Sequence, residues 1–162
     1  MLFKLKPRYI SKEELIEGLR ETVTKFNVFS GDHKFGLILF GSRMNGIPKI
    51  YSDVDLFLFH IEGPNREYGK SARELERKTD EFLLRYGIVN PFPYHHSFER
   101  EHLLLALENE DYRKELLRGI LGVLDKYSLY IGPEEEENQS LIENALELNL
   151  REPYSFPYSL IL

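Results

Sequence analysis

The chain has 162 residues, 42% of them hydrophobic and 13% aromatic, which is enough for one compact domain with a real core and leaves little room for a second. Its 27 acidic and 21 basic residues give a formal net charge of -6, so the molecule as a whole is not drawn to nucleic acid, and the cluster Lys4, Lys6, Arg8 and Lys12 reads as a solvated surface. The absence of cysteine excludes disulfides, thiol nucleophiles and cysteine zinc sites; no apolar run approaches the roughly 18 residues needed to cross a bilayer, and the start lacks a signal-peptide core, so a cytoplasmic protein with no membrane partner is expected.

Ser11 followed by Glu14 has capping-box spacing, and Leu15, Leu19, Val23 and Phe26 then recur at three or four residues, so an amphipathic helix is predicted over 11–27. Ser30, Gly31 and Asp32 mark a turn. The run 34–40 (KFGLILF) reads as a buried strand and 53–60 (DVDLFLFH) as a second, with the intervening GSRMNGIPKIYS as a loop. A second helix is predicted over 70–86, carrying Ala72, Leu75, Phe82 and Leu83 and closed by Gly87.

Residues 88–95 (IVNPFPYH) read as a third strand, short or at an edge because Pro91 and Pro93 cannot donate to a ladder. Ser97, Glu99 and Arg100 open a helical stretch carrying Leu103, Leu104 and Leu107, and Asp111 starts another with Leu116, Leu117, Ile120, Leu121 and Leu124 on its apolar face. The segment 126–131 alternates like a strand and stops at Gly132-Pro133. Residues 134–139 read as a charged linker and 141–150 as a last short helix; the aromatic tail 151–162 is expected to pack on the domain or into a subunit interface. The expected fold is α/β, a small mixed sheet backed by helices, with 1–132 as the main domain and 133–162 as linker, helix and tail.

One segment carries chemistry. Gly41 lacks a side chain, so backbone there can approach a phosphate closely, and Ser42 offers a hydroxyl and an amide to its oxygens. On a strand, residues i and i+2 share a face, so Asp53 and Asp55 point one way while Val54 points into the core. Two convergent carboxylates beside a phosphate-holding turn suit magnesium, which takes one or two protein carboxylates together with substrate phosphate oxygens. The same residue types also have a bland use: Ser-Asp at a strand start is ordinary turn chemistry.

The stretch LFGSRMNGIPKIYSDVDLFLF resembles the signature of the DNA polymerase β-like nucleotidyltransferase superfamily: a hydrophobic strand, Gly-Ser, a loop of about ten residues, then Asp-x-Asp between hydrophobic residues. Gly41-Ser42-Arg43-x-x-Gly46 with Ser52-Asp53-Val54-Asp55-Leu56 is especially similar to the small bacterial and archaeal members, the minimal nucleotidyltransferases. The resemblance implies a nucleotidyltransferase fold in which Gly41 and Ser42 contact the triphosphate of a nucleoside triphosphate, Arg43 steadies phosphate oxygens, and Asp53 and Asp55 ligate Mg2+ or Mn2+. It implies transfer of a nucleoside monophosphate to a hydroxyl acceptor on a protein, a small molecule or a nucleic-acid end. Lys49 is a weaker phosphate candidate from its charge alone.

The pattern departs from the family at one place. Active members supply a third carboxylate from the next strand as the base, and here Asn90 stands where that acid is expected; an amide cannot accept the proton. Glu99 and Glu101 are the substitutes to consider, although acids at a helix start are also expected for the dipole alone. The alternative is therefore a nucleotide-binding or partner-binding module that has lost turnover, of the kind that could serve one half of a toxin-antitoxin pair, with a protein partner or a homo-oligomer in view. A glycosyltransferase also uses Asp-x-Asp, but the short chain and the preceding Gly-Ser turn argue against it. His95-His96 cannot both reach one metal from adjacent strand positions, and His33 and His102 are isolated.

Overall fold

The structure, a computed structural model, describes residues 9–46, 54–63, 68–88, 97–119 and 121–151. Helix α1 (Lys12–Phe29) begins as its sequence dictates: Ser11 has extended backbone and its Oγ accepts the Glu14 N–H at 3.1 Å. That bond satisfies one of the donors a helix start leaves without a partner. Leu15, Leu19, Val23 and Phe26 all turn inward. At the other end the Asn27 side chain donates to the Phe35 carbonyl at 2.8 Å and accepts the Phe35 N–H at 3.0 Å, pinning α1 to the strand that comes next.

Strand β1 (Lys34–Phe40) matches its predicted bounds, and five consecutive residues inside it are buried. Strand β2 (Asp55–Glu62) pairs with it antiparallel from Phe40↔Asp55 to Lys34↔Glu62. This shifts the second strand two residues toward the C-terminus of its expected position, because Ile61 and Glu62 extend the ladder to the start of β1. The intervening segment is not wholly loop: Ser42–Asn45 form a short helix, α2, tied back by the Met44 N–H to the Gly41 carbonyl at 3.0 Å.

Helix α3 (Tyr68–Leu84) buries Ala72, Leu75, Phe82 and Leu83 as predicted. It packs so closely on α1 that a Cβ at Gly18 would overlap the Phe82 ring. Most of the third strand predicted at 88–95, Asn90 included, lies outside the described residues. The strand that the structure adds there is β3 (Ser97–Glu99), parallel to β2 with Leu58↔Ser97, Phe59↔Phe98 and His60↔Glu99. Ser97 and Glu99, expected to open a helix, are therefore strand residues, and helix α4 (Arg100–Glu108) starts one residue later with Glu99 as its cap.

Helix α5 (Glu110–Gly119) does not run on through Leu124 as expected; Leu121–Val123 form a separate 3-10 turn that still buries Leu121. Strand β4 (Leu129–Ile131) is shorter than the predicted 126–131, since Lys126 and Tyr127 belong to a turn. The expected linker 134–139 is instead the beginning of helix α6 (Glu135–Arg151). Glu135, Glu136 and Glu137 occupy its first turn, where negative charge favours the helix dipole, and Asn138 is fully buried, donating to the Pro133 carbonyl at 3.0 Å.

The sheet order is β3-β2-β1-β4, with β2-β1-β4 antiparallel and β3 added in parallel, so the fold is α/β with a mixed sheet. Alternation along β2 divides the interior in two. Leu56 and Leu58 join α1 and α3 on one face, while Phe57, Phe59 and Ile61 join residues of α4, α6 and the 3-10 turn on the other. Fully burying one such Leu or Phe stabilises the fold by about 1.5–3 kcal/mol relative to leaving it exposed. Both faces of the sheet are thus covered, and chemistry is left to the strand ends.

Candidate functional site

The end of β1 and the start of β2 meet at one rim of the sheet, because Phe40 is the register partner of Asp55. The chain leaves β1 through Gly41, whose φ of +82° lies in the region that favours glycine. A Cβ at this position would overlap Oδ2 of Asp55 and stand 2.9 Å from its Cγ. Glycine is therefore required twice, by the backbone conformation and by the carboxylate lying against the turn. Asp55 itself is half-buried, and on its side of the sheet Phe40 stacks on Phe57 with ring centroids 4.6 Å apart. The carboxylate thus stands at the edge of an aromatic layer, with the turn lying against it.

Three neighbours complete what is seen of the rim. Ser42 opens α2 directly after Gly41. Arg43, expected to steady phosphate oxygens, is only 3% exposed, so its guanidinium is held inside the fold instead of projecting into solvent. Val54, immediately before Asp55, is 1% exposed and belongs to the core shared with α1 and α3, as its place between two acids predicted. Asp53 and Lys49 lie outside the described residues.

The candidate third acids are placed elsewhere. Glu99 pairs with His60, five residues along β2 from Asp55, a separation of roughly 16 Å at about 3.3 Å per residue. Five is also an odd number of steps, so Asp55 and His60 point to opposite faces, and Glu99 goes with His60. Its Oε1 lies 3.9 Å from His60 Nδ1, and it is the N-cap residue of α4, its backbone N–H donating to His102 Nδ1 at 3.3 Å. Glu101, in the first turn of α4, is exposed and close enough to His60 to act on its charge. Neither acid joins Asp55. Among the described residues no group of three or more His, Cys, Asp or Glu side chains is placed to hold a metal ion.

Far from the rim, His33, expected to be isolated, belongs to a buried cluster with His60. His33 and His60 are both buried, with His33 Nδ1 3.5 Å from His60 Nε2, and Phe35 packs on the His60 ring at 5.0 Å between centroids. Burial holds the His60 pKa below the ordinary histidine value, opposed by Glu99 and reinforced by His33. The sequence signal for this cluster was a histidine just before β1 and another near the end of β2, which the antiparallel register brings to the same end of the ladder. His95 and His96 lie outside the described residues.

Among the described residues no helix is long and apolar enough to cross a membrane. The chain matches no protein-family model, no curated protein and no solved structure.

Proposed function

We propose that the chain is a minimal nucleotidyltransferase of the DNA polymerase β-like superfamily. In this reading Gly41 and Ser42 hold the phosphates of a nucleoside triphosphate, Asp53 and Asp55 hold Mg2+ or Mn2+, and a nucleoside monophosphate passes to a hydroxyl acceptor with release of pyrophosphate. The observation that supports it is the contact of the Asp55 carboxylate with Gly41, which puts a carboxylate oxygen and a side-chain-free turn in one place at the rim of the sheet.

The residues present fit a hard cation in kind: a half-exposed carboxylate offers oxygen ligands, and the glycine leaves backbone room for phosphate beside it. The bound cation, when present, would offset phosphate charge and steady the departing pyrophosphate. The reading requires Asp53 to join Asp55, as residues two apart on extended backbone do. Arg43, buried in the short helix that follows the turn, then orders the phosphate-holding segment and adds positive charge to it.

The positions of Glu99 and Glu101 favour a second reading, in which the same site binds a nucleotide and does not transfer it. One assay separates the two. The protein is incubated with Mg2+ or Mn2+, each labelled triphosphate in turn and candidate protein, small-molecule and nucleic-acid acceptors, beside the Asp53→Ala variant. Label transfer that the variant lacks supports the enzyme; binding without transfer to any acceptor selects the module, and absence of both rejects the site.

A further inference from the structure

A groove of about 590 Å3 lies between the turn that precedes β4 and the C-terminal half of α6, within the roughly 300–1,000 Å3 of ordinary ligand pockets. Leu124, Leu146 and the 47% exposed Tyr127 give it its apolar lining, and Asp125, Lys126, Glu143 and Glu147 line it as well. Leu146 is five residues from Arg151, the last residue of α6, or about 7.5 Å along a helix. The groove therefore opens next to the point where the chain leaves the described residues.

The C-terminal tail has a composition suited to this groove. Residues 153–162 (PYSFPYSLIL) carry no charged side chain. In extended backbone Tyr154, Phe156, Tyr158, Leu160 and Leu162 fall on one face, against two prolines, two serines and Ile161 on the other. Pro153 and Pro157 oppose continuation of the helix. Pairing with the edge of the sheet nearby is blocked as well. Gln139 already covers the outer side of β4, accepting the Tyr130 N–H at 2.7 Å and donating to the Ser128 carbonyl at 3.1 Å. A one-sided apolar ribbon that cannot add a strand has side-chain docking left to it.

We propose that residues 153–162 fold back on the same chain and lay their aromatic face into the groove formed by Leu124, Tyr127 and Leu146. Ten extended residues reach roughly 33–36 Å, several times the distance back to Leu146, and the covalent tether gives the tail an effective concentration in the millimolar range, ahead of a second copy at ordinary concentrations. The contact removes exposed apolar surface from both the tail and the groove. It is independent of the nucleotide-binding reading.

The chain has no cysteine, so a designed pair gives an unambiguous disulfide. The full-length Lys126→Cys/Ser155→Cys protein is compared under mild oxidant with Glu13→Cys/Ser155→Cys, since Glu13 is exposed on α1, across the sheet from α6. The expected result is an intramolecular disulfide in the monomer, formed about tenfold faster than in the Glu13 pair. Adding Tyr127→Ala, at an exposed site that the core does not use, removes that advantage without changing the tether. Equal rates in the two pairs, a rate unaffected by Tyr127→Ala, or disulfides formed only between two chains would each overturn the proposal, the last by assigning the tail to a second copy.

Discussion

Gly31→Ala and Gly41→Ala form a matched pair that isolates what the carboxylate contributes at the rim. Both glycines have positive φ, +68° and +82°, but a Cβ at Gly31 meets nothing within 4 Å, whereas one at Gly41 overlaps the Asp55 carboxylate. The backbone term is common to both, about 1–2 kcal/mol for an L-residue in the left-handed region. Overpacking adds typically about 1–3 kcal/mol where a side chain is forced aside. Gly31→Ala should therefore cost about 1–2 kcal/mol and Gly41→Ala about 2–5 kcal/mol. At about 2–4 °C per kcal/mol for a chain of this size, thermal unfolding monitored by circular dichroism resolves the two. The variants should also differ in function: Gly41→Ala displaces Asp55 and weakens metal-dependent nucleotide binding at least tenfold, while Gly31→Ala leaves it unchanged. Equal costs together with equal nucleotide binding would refute the claim that turn and carboxylate form one site.

Three further outcomes are expected. Because burial holds the His60 pKa below its ordinary value near 6.5, the native state binds fewer protons than the unfolded chain; stability is full above about pH 6.5 and declines as pH falls toward the folded value. His60→Gln should flatten the dependence of Tm on pH between 7.5 and 5, and an unchanged slope would place its origin elsewhere. Ser11→Ala removes the cap seen on the Glu14 N–H and should lower stability by about 0.5–2 kcal/mol in a denaturant titration. Leu58→Ala, in the core under α1 and α3, should cost about 2–5 kcal/mol, whereas Leu104→Ala, 44% exposed, should stay within about 0.5 kcal/mol; similar costs would contradict the assignment of faces.

Those contrasts also mark where the sequence was readable. Helix α1 was legible because a cap and four apolar residues at helical spacing agree, and β1 because a short apolar run sits between turns. Each is decided locally. Strand β3 was not, since three residues give no periodicity and their pairing is set by β2, nearly forty residues away. The glutamates at the start of α6 read as a linker on composition, yet Asn138 and Gln139 are tied to Pro133 and β4 by tertiary hydrogen bonds. Of the three leucines read into α4, Leu103 is buried and Leu107 packs on the core as the spacing suggested, but Leu104 is exposed and Ala106 turns inward.

At the site the same division holds. Gly41 and Asp55 could be picked out by residue type and spacing, and the register of β1 with β2 brings them together. The burial of Arg43 was not legible, because a charge goes inside only where the folded chain surrounds it. Glu99 had the right residue type near the right strand, but its register partner is His60, at the wrong end and on the wrong face. Identity was local information; position along a ladder was not.

The central claim, that Gly41 and Asp55 form a metal-dependent triphosphate site, is tested most directly by equilibrium binding of a labelled nucleoside triphosphate with and without Mg2+, in wild type and in Asp55→Asn. The account predicts saturable binding that needs the cation and falls at least tenfold in Asp55→Asn, with the circular dichroism spectrum of the variant unchanged. Binding equal in the two proteins, or the same with and without Mg2+, would contradict it.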